Sequence, residues 1–316
     1  MLITASALAA IIPMSFYLFL IWRFDKYDRE PFKLVLANYL WGALGAVIFA
    51  VIGSLLLSSF ASFFINDELH LGHIGAIVIA PIVEETTKGF FLLITVANRK
   101  FDNVTDGIVY GGAIGLGFGM TENFLYFVSY GTTVPDWIAI VIVRTLFTAV
   151  MHCVATATFG AFLGYAKFKT KYFKIIFPLA GLLLAMIIHA AWNFAVSFQS
   201  TAPLGFLFMF ITIIVFIVVF SLSIVNEKKI IWTELLEEVN LGNIPANHIS
   251  ILSSSVRDKQ GWIDEKIRKV YIKSATTLAF RKLQSKYSHG VSKIYYENDV
   301  SNYRTFIRDL LSNTES

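Results

Sequence analysis

The chain has 316 residues, of which 56% are hydrophobic and 15% are charged. Because soluble domains carry about 25% charged residues, this composition excludes a typical soluble protein. The net charge of +4 lies in loops and in the C-terminal tail, so we expect no nucleic-acid partner. The single cysteine, Cys153, provides no disulfide framework.

Long apolar runs recur from the N-terminus to about residue 225, and a helix needs about 20 such residues to cross a bilayer. We predict an all-α polytopic membrane protein, because the runs are continuous and do not alternate as in a β-barrel. The first run is predicted to be a span and not a cleaved signal, since no basic residue precedes it. The seven predicted transmembrane helices cover residues 2–22, 34–64, 74–97, 105–129, 137–166, 174–198 and 203–225.

The loops between the predicted spans alternate in their content of basic residues. One set of loops contains ten Lys and Arg residues and the other set contains none; these sets are 23–33, 98–104 and 167–174, and 65–73, 130–136 and 199–202. Because basic loops remain in the cytoplasm, we predict that the N-terminus lies outside the cell membrane and the C-terminus lies in the cytoplasm.

The composition changes after residue 226. The last 90 residues contain 14 Lys and Arg and 11 Asp and Glu, with short apolar patterns at helical spacing. We therefore predict a transmembrane core at 1–226 and a small helical cytoplasmic domain at 227–316. The sequence of this tail does not indicate a function.

The fourth predicted span carries a stripe of glycines. Gly107, Gly111, Gly115 and Gly119 fall at every fourth position, which favours close packing of helix backbones inside a membrane. Glu122 follows Gly115 by two helical turns and therefore points the same way. The closely packed face is thus predicted to carry a carboxylate.

Ionisable side chains inside the spans are the main functional signal, because each costs about 3 kcal/mol at the centre of a membrane helix. A rise of about 1.5 Å per residue places Glu84 at ~15 Å, Glu122 at ~10 Å and His189 at ~14 Å from the outer end of their spans. One shared hydrated cavity would accommodate them. The seven such residues are Glu84, Glu85, Lys88, Glu122, Arg144, His152 and His189.

Each of these residues also has a purely structural interpretation when it is taken alone. A single membrane histidine often makes a helix–helix hydrogen bond. The alternative for Arg144 is that its long side chain snorkels to the outer surface of the membrane. Glu85 has the option of a structural salt bridge with Lys88, three residues away. Pro81 removes a backbone hydrogen bond just before Glu84 and Glu85, which we call the acidic pair, so we expect irregular helix geometry there.

Together these groups are suited to hydrolysis. A carboxylate in a low dielectric can act as a general base, and a histidine with a neighbouring asparagine can donate hydrogen bonds to an oxyanion. Two histidines and one carboxylate also form an ordinary catalytic zinc set, with another glutamate left to take the proton of the water. No H-E-x-x-H motif is present, so a Zn²⁺ site lacks its usual sequence signature.

Four motifs on separate spans give a more specific indication. They are Glu84-Glu85-x-x-Lys88, Phe118-Gly119-x-x-Glu122-Asn123, His152-x-x-x-Thr156 and His189-x-x-x-Asn193. In type and order they resemble those of the PrsW intramembrane proteases, relatives of the CAAX prenyl proteases. The resemblance covers roughly residues 1–225.

The resemblance implies a protease of a bacterial-type cell membrane that cleaves a single-pass membrane protein, such as an anti-sigma factor, on the extracytoplasmic side. It implies that Glu84 activates water, that Glu85 supports it and that Asn193 helps to hold the oxyanion. His152 and His189 complete the site, and with Glu122 they are the candidate ligands of a metal such as Zn²⁺. The CAAX proteases have a histidine where this chain has Glu122.

A second hypothesis comes from another class of protein. A multi-pass transporter or sensor would use the same buried ionisable residues as a proton relay. The sequence contains no inverted repeat of the kind that transporters carry, which favours the protease.

Overall fold

The structure is a computed structural model that describes residues 2–312, and within this range the chain forms helices and no β-strand. The helices form where the sequence has long apolar runs, and most of their ends lie within three residues of the predicted boundaries. In chain order they are α1 Leu2–Phe24, α2 Phe32–Ala61, α3 68–96, α4 Val104–Tyr130, α5 Val134–Ala166, α6 Phe173–Ser197, α7 Ala202–Asn240, α8 Ala246–Leu252, α9 Glu265–Tyr287 and α10 Gly290–Ser312.

Five helices, α1, α2, α5, α6 and α7, are long and apolar enough to cross a membrane. The third and fourth predicted spans are also helical, as α3 and α4. However, α3 carries three charged side chains between positions 84 and 88, and α4 is rich in glycine. The all-helical membrane fold is therefore confirmed, whereas the number of seven spans remains a prediction.

Three of the helices contain a π-helical turn, which accommodates one more residue than an α-helical turn and often marks a functional site. In α3 this turn immediately precedes Pro81, where the sequence predicts irregular geometry. The three turns are Trp41–Ala46 in α2, Gly75–Ile79 in α3 and Arg144–Thr148 in α5.

Side-chain caps fix where the helices around the site begin. The Asp67 carboxylate accepts the first free backbone N–H groups of α3. Asn103 and Asp106 form a capping box at the start of α4, and Thr133 caps α5. Such caps satisfy donors that have no partner within the helix, so the start of each helix is well defined.

The glycine stripe brings α4 against the backbone of α5. A Cβ atom at Gly107 would lie 1.9 Å from the carbonyl oxygen of Gly160, and one at Gly115 would lie 2.2 Å from that of His152. No side chain fits into these spaces. The predicted close packing is confirmed, and it is the reason why Glu122 of α4 lies beside His152 of α5.

The chain divides into two compact units. The first contains Met1–Phe24 and Glu30–Phe220, and the second contains Asp25–Arg29 and Ser221–Ser316. The second unit has its own apolar core, with Leu235, Tyr271, Leu278 and Ile307 among its buried members. The functional division into 1–226 and 227–316 remains a prediction.

The last predicted span ends at 225, but α7 extends to Asn240. Its final turns bury Ile231 and Leu235 in the core of the second unit. One of the short apolar patterns of the tail, formed by Trp232, Leu235, Leu236 and Val239, therefore belongs to this helix and not to a separate one.

Candidate active site

Polar side chains from four helices meet in the first unit and form what we call the site cluster. Most of its members are at least nine-tenths buried, so they contact one another more than solvent. The predicted meeting of these side chains is thus seen as direct contacts, and the shared hydrated cavity remains a prediction. The cluster consists of Glu84, Glu85 and Lys88 of α3, Glu122 of α4, Arg144, His152 and Thr156 of α5, and His189 of α6.

Glu85 is the most constrained carboxylate of the cluster. Its Oε1 atom lies 2.7 Å from Lys88 Nζ and 3.0 Å from His189 Nδ1. Its Oε2 atom accepts a hydrogen bond of 2.9 Å from the Thr156 hydroxyl. Because both oxygens are engaged and the side chain is 1% exposed, Glu85 has little capacity left to bind anything else.

Glu84 is held more loosely. Its Oε2 atom is 3.4 Å from Lys88 Nζ, 3.8 Å from His189 Nε2 and 4.0 Å from His152 Nδ1. The side chain is 13% exposed. It is thus the member of the acidic pair that has lone pairs available for a proton or a cation.

Glu122 is held between a histidine and an arginine. Its Oε2 atom lies 2.6 Å from His152 Nε2 and 2.8 Å from the Arg144 guanidinium. Arg144 Nε donates to Asn123 Oδ1 at 3.1 Å, and the guanidinium lies over the ring of Tyr126 at 3.6 Å. The alternative that Arg144 extends to the surface is wrong, because α4 binds it on several sides.

The hydrogen bonds determine the tautomers of the two histidines. A carboxylate only accepts hydrogen bonds, so the proton on His152 lies at Nε2, facing Glu122, and the proton on His189 lies at Nδ1, facing Glu85. The other nitrogen of each ring therefore presents a lone pair, and both lone pairs face Glu84.

These lone pairs make the site fit a metal. One donor atom from each of Glu84, His152 and His189 lies within 4.8 Å of the other two. Two histidines and a carboxylate are a common catalytic zinc set, and each histidine has the carboxylate partner that metal-bound histidines usually have. The predicted ligand set differs in one member, because Glu122 binds the far side of His152 and Glu84 takes its place in the group.

Asn193 does not join the cluster through the contacts of its side chain. Its Nδ2 atom donates a hydrogen bond of 2.8 Å to the carbonyl oxygen of Ala76. Ala76 lies in the π-helical turn Gly75–Ile79 of α3, and this turn ends two residues before Pro81. The structure thus places Asn193 at the turn that precedes the acidic pair.

The other predicted site residues, Glu84, Glu85, Glu122, His152 and His189, are brought together. Sequence reasoning gave no role to Thr156 or Phe118, although both stand in the four motifs. Phe118 lies under the Lys88 ammonium, 3.9 Å from ring centre to Nζ. The motif spacing was the signal that pointed to both residues.

Comparison with known proteins agrees with this geometry. Residues 30–222 match the model of a family described as PrsW family intramembrane metalloprotease. Protease PrsW of Oceanobacillus iheyensis is 31% identical over 226 residues, which cover 71% of this chain and 97% of that protein. No solved structure matches the chain closely enough to extend the comparison.

Two further relatives carry the same name. Protease PrsW of Bacillus subtilis is 27% identical over 56% of this chain and 75% of its own length. Protease PrsW of Clostridioides difficile is 26% identical over 66% of this chain and 85% of its own length. With apolar membrane-length helices, a cluster of glutamates and histidines and a family match over most of its first unit, the chain belongs to the PrsW family of intramembrane metalloproteases.

Proposed function

We propose that this protease cleaves a single-pass membrane protein on the extracytoplasmic side of the membrane, with the attacking water activated beside Glu84. The observation that carries the proposal is the contrast within the acidic pair. The Glu85 carboxylate accepts from three donors, whereas the Glu84 carboxylate accepts a single hydrogen bond of 3.4 Å, from Lys88. A general base needs free lone pairs within reach of water, and Glu84 has them.

Glu85 supports the site without touching the water. It accepts from His189 Nδ1 and keeps the Nε2 lone pair of that ring directed at Glu84. Glu122 does the same for His152 from the opposite side, and Arg144 keeps Glu122 in place. These positioning contacts hold both imidazoles in one tautomer and one orientation.

A metal ion held by Glu84, His152 and His189 would lower the pKa of a bound water and polarise the scissile carbonyl group. Zn²⁺ fits this donor set, and its identity is part of the proposal. The two imidazoles supply lone pairs to the ion and the Glu84 carboxylate supplies negative charge. Loss of Glu84 would remove both a donor of the metal-capable group and the carboxylate that faces the water.

Asn193 is proposed to stabilise the oxyanion with the second proton of its amide nitrogen. The first proton is donated to Ala76, which fixes the orientation of the amide. A single well-placed oxyanion donor is worth about 3 kcal/mol of transition-state stabilisation.

An anti-sigma factor with one transmembrane helix is the proposed substrate class, following the family resemblance. Ten basic residues in one set of loops and none in the other support an extracellular N-terminus and a cytoplasmic tail. In that orientation Glu84, Glu122 and His189 lie in the outer half of the bilayer or near its middle. Cleavage on the extracytoplasmic side follows from this depth.

The test compares the two glutamates. Membranes from cells that express the wild type, Glu84→Gln or Glu85→Gln are analysed for new N-termini of single-pass proteins by mass spectrometry. We expect Glu84→Gln to abolish the new N-termini at normal expression, and Glu85→Gln to reduce them. Full cleavage by Glu84→Gln would refute the proposed role of Glu84. Loss of ion or solute uptake without any proteolysis would instead favour a proton-relay protein.

A further inference from the structure

Lys88 lies where the ligand atoms of the site converge. It is fully buried, and its ammonium lies 2.9 Å from His152 Nδ1, 3.4 Å from Glu84 Oε2 and 2.7 Å from Glu85 Oε1. We propose that Lys88 is a placeholder cation: it occupies the donor atoms of the metal-free site and must withdraw before a divalent metal can bind. This inference rests on the metal-holding role proposed above for Glu84, His152 and His189.

Competition for one lone pair is the first argument. His152 Nε2 carries a proton that it donates to Glu122, so Nδ1 is the only nitrogen of this ring that can accept. Lys88 Nζ already donates to that atom. A metal needs the same lone pair, so His152 cannot bind both cations at once.

The charge of the site gives the second argument. Three glutamates lie in the cluster, whereas Lys88 and Arg144 are its only permanent cations. Buried carboxylates without compensating charge are strongly unfavourable. The ammonium therefore stabilises the site before metal arrives, at the position where a second source of positive charge would later lie.

Lys88 also has a place to which it can withdraw. Its shortest contact is with Glu85, which is not in the metal-capable group, and its ammonium lies 3.9 Å from the centre of the Phe118 ring. Both partners would remain after Lys88 released His152 and Glu84. A carboxylate and an aromatic face are sufficient to keep a buried ammonium stabilised.

The experiment measures the affinity for Zn²⁺, not proteolysis. Purified full-length protein in detergent is titrated with Zn²⁺ in competition with a chromophoric chelator. Lys88→Met keeps an unbranched side chain of similar length but removes the charge. We expect Lys88→Met to bind Zn²⁺ at least about tenfold more tightly than the wild type, because both the competing hydrogen bond and the like charge are gone.

Two control variants separate the placeholder from simpler effects. Lys88→Arg retains the charge and should not gain affinity. Arg144→Met removes an equal charge from a residue that contacts Glu122 and none of the three metal-capable side chains, so it should not match the gain of Lys88→Met. If Lys88→Met fails to fold, Lys88→Gln takes its place under the same expectation.

The results separate this inference from the proposed function. Unchanged or weaker Zn²⁺ binding by Lys88→Met would overturn the inference, and so would an equal gain in Arg144→Met, which would indicate a general charge effect. If the wild type cleaves its substrates but neither the wild type nor Lys88→Met binds Zn²⁺, the placeholder role of Lys88 is overturned and the protease function stands.

Discussion

The two units each contain a cluster of acidic and basic side chains, and the two clusters differ in how their charges are matched. In the second unit, Glu234, Glu237 and Glu238 of α7 meet Lys282 and Lys286 of α9 and Arg304 of α10, and we call this set the tail cluster. Its carboxylates pair with cations at 2.6 to 3.0 Å. In the site cluster, two histidines take positions that Lys or Arg side chains hold in the tail cluster. The nearest Lys or Arg nitrogen to the Glu84 carboxylate is Lys88 Nζ, at 3.4 Å.

This difference distinguishes a structural ion network from a reactive one. A carboxylate with close Lys or Arg partners is satisfied and holds helices together. A carboxylate that faces the ring nitrogens of two histidines lacks such close partners, and it can bind a metal or take a proton. The number of charged residues is similar in both clusters, so composition alone would not tell them apart.

Metal removal should give the largest difference between the clusters. If Glu84, His152 and His189 hold a metal, a strong chelator should abolish proteolysis and added Zn²⁺ should restore it. The tail cluster contains no such donor set, so the thermal unfolding of the second unit should not change. Proteolysis is measured on detergent-solubilised enzyme, with metal content determined on the same sample. Full activity of a protein sample found to be metal-free would contradict the proposed role of a metal in proteolysis. Glu84 would then act as a general base without a metal.

Replacing Gly115 with alanine should disrupt the site cluster from a distance. The new Cβ atom would lie 2.2 Å from the carbonyl oxygen of His152, so α5 must move and carry His152 away from Glu122. A displacement of about 1 Å in a catalytic site can cost on the order of 100-fold in rate, and we expect a loss of this size.

Gly112→Ala is the matched control, because its Cβ atom would meet only side chains at 3.3 Å and beyond. Its activity should stay close to that of the wild type. Equal activity of both variants would show that the close contact of α4 with α5 does not position the site.

Breaking the tail cluster should affect stability and not catalysis. Glu238 is fully buried and pairs with Lys282 at 2.6 Å and Arg304 at 2.7 Å. Glu238→Gln removes the carboxylate that pairs with Arg304 and one of the two that pair with Lys282, which we expect to cost about 3 kcal/mol of stability in the second unit. Hydrogen exchange of α9 and α10 should rise while the rate of proteolysis is unchanged. A loss of activity without faster exchange would indicate that the tail takes part in the reaction.

The smallest effect should come from one titrating histidine of the second unit, His248. Burial holds the pKa of His248 below its ordinary value of about 6.5, and its Nδ1 atom lies 3.1 Å from the Tyr271 hydroxyl. The unfolded chain therefore binds a proton at higher pH than the folded chain. Stability is complete above the ordinary pKa and falls as the pH drops through the lowered pKa of the folded state.

Hydrogen exchange of residues 246–252, corrected for its intrinsic pH dependence, measures this effect. His248→Asn cannot titrate and should lose the pH dependence. The prediction fails if the wild type and this variant respond to acid in the same way.

Much of the site could be predicted from the sequence because the information is local. The spacing of Glu84, Glu85 and Lys88 fixes their common face, and the glycine stripe predicts which face of α4 packs closely. The cost of burying charge in a membrane then predicts that Glu122 and the two histidines meet these residues. Polar groups within a membrane face the interior of the helix bundle and pair with one another.

The remaining details depend on contacts between helices, which spacing does not encode. The sequence does not say which nitrogen of His152 faces Glu122, or that Lys88 reaches across to the other nitrogen. It also gives no sign that the amide of Asn193 turns to a backbone carbonyl. These are choices of rotamer and distance, made only after the helices have packed. They decide which carboxylate is free to react.

The π-helical turns have a consequence for how this protein can vary. Two of them have a backbone carbonyl bonded by a side chain from a neighbouring helix: Thr121 donates to Ala43, and Asn193 donates to Ala76. Because each turn holds one extra residue, it rotates everything beyond it by roughly 100° relative to a regular helix. Deleting one residue from Gly75–Ile79 would therefore leave a well-formed helix with its acidic pair aimed at lipid. The number of residues in these turns, and not only their type, therefore determines the orientation of the active-site side chains.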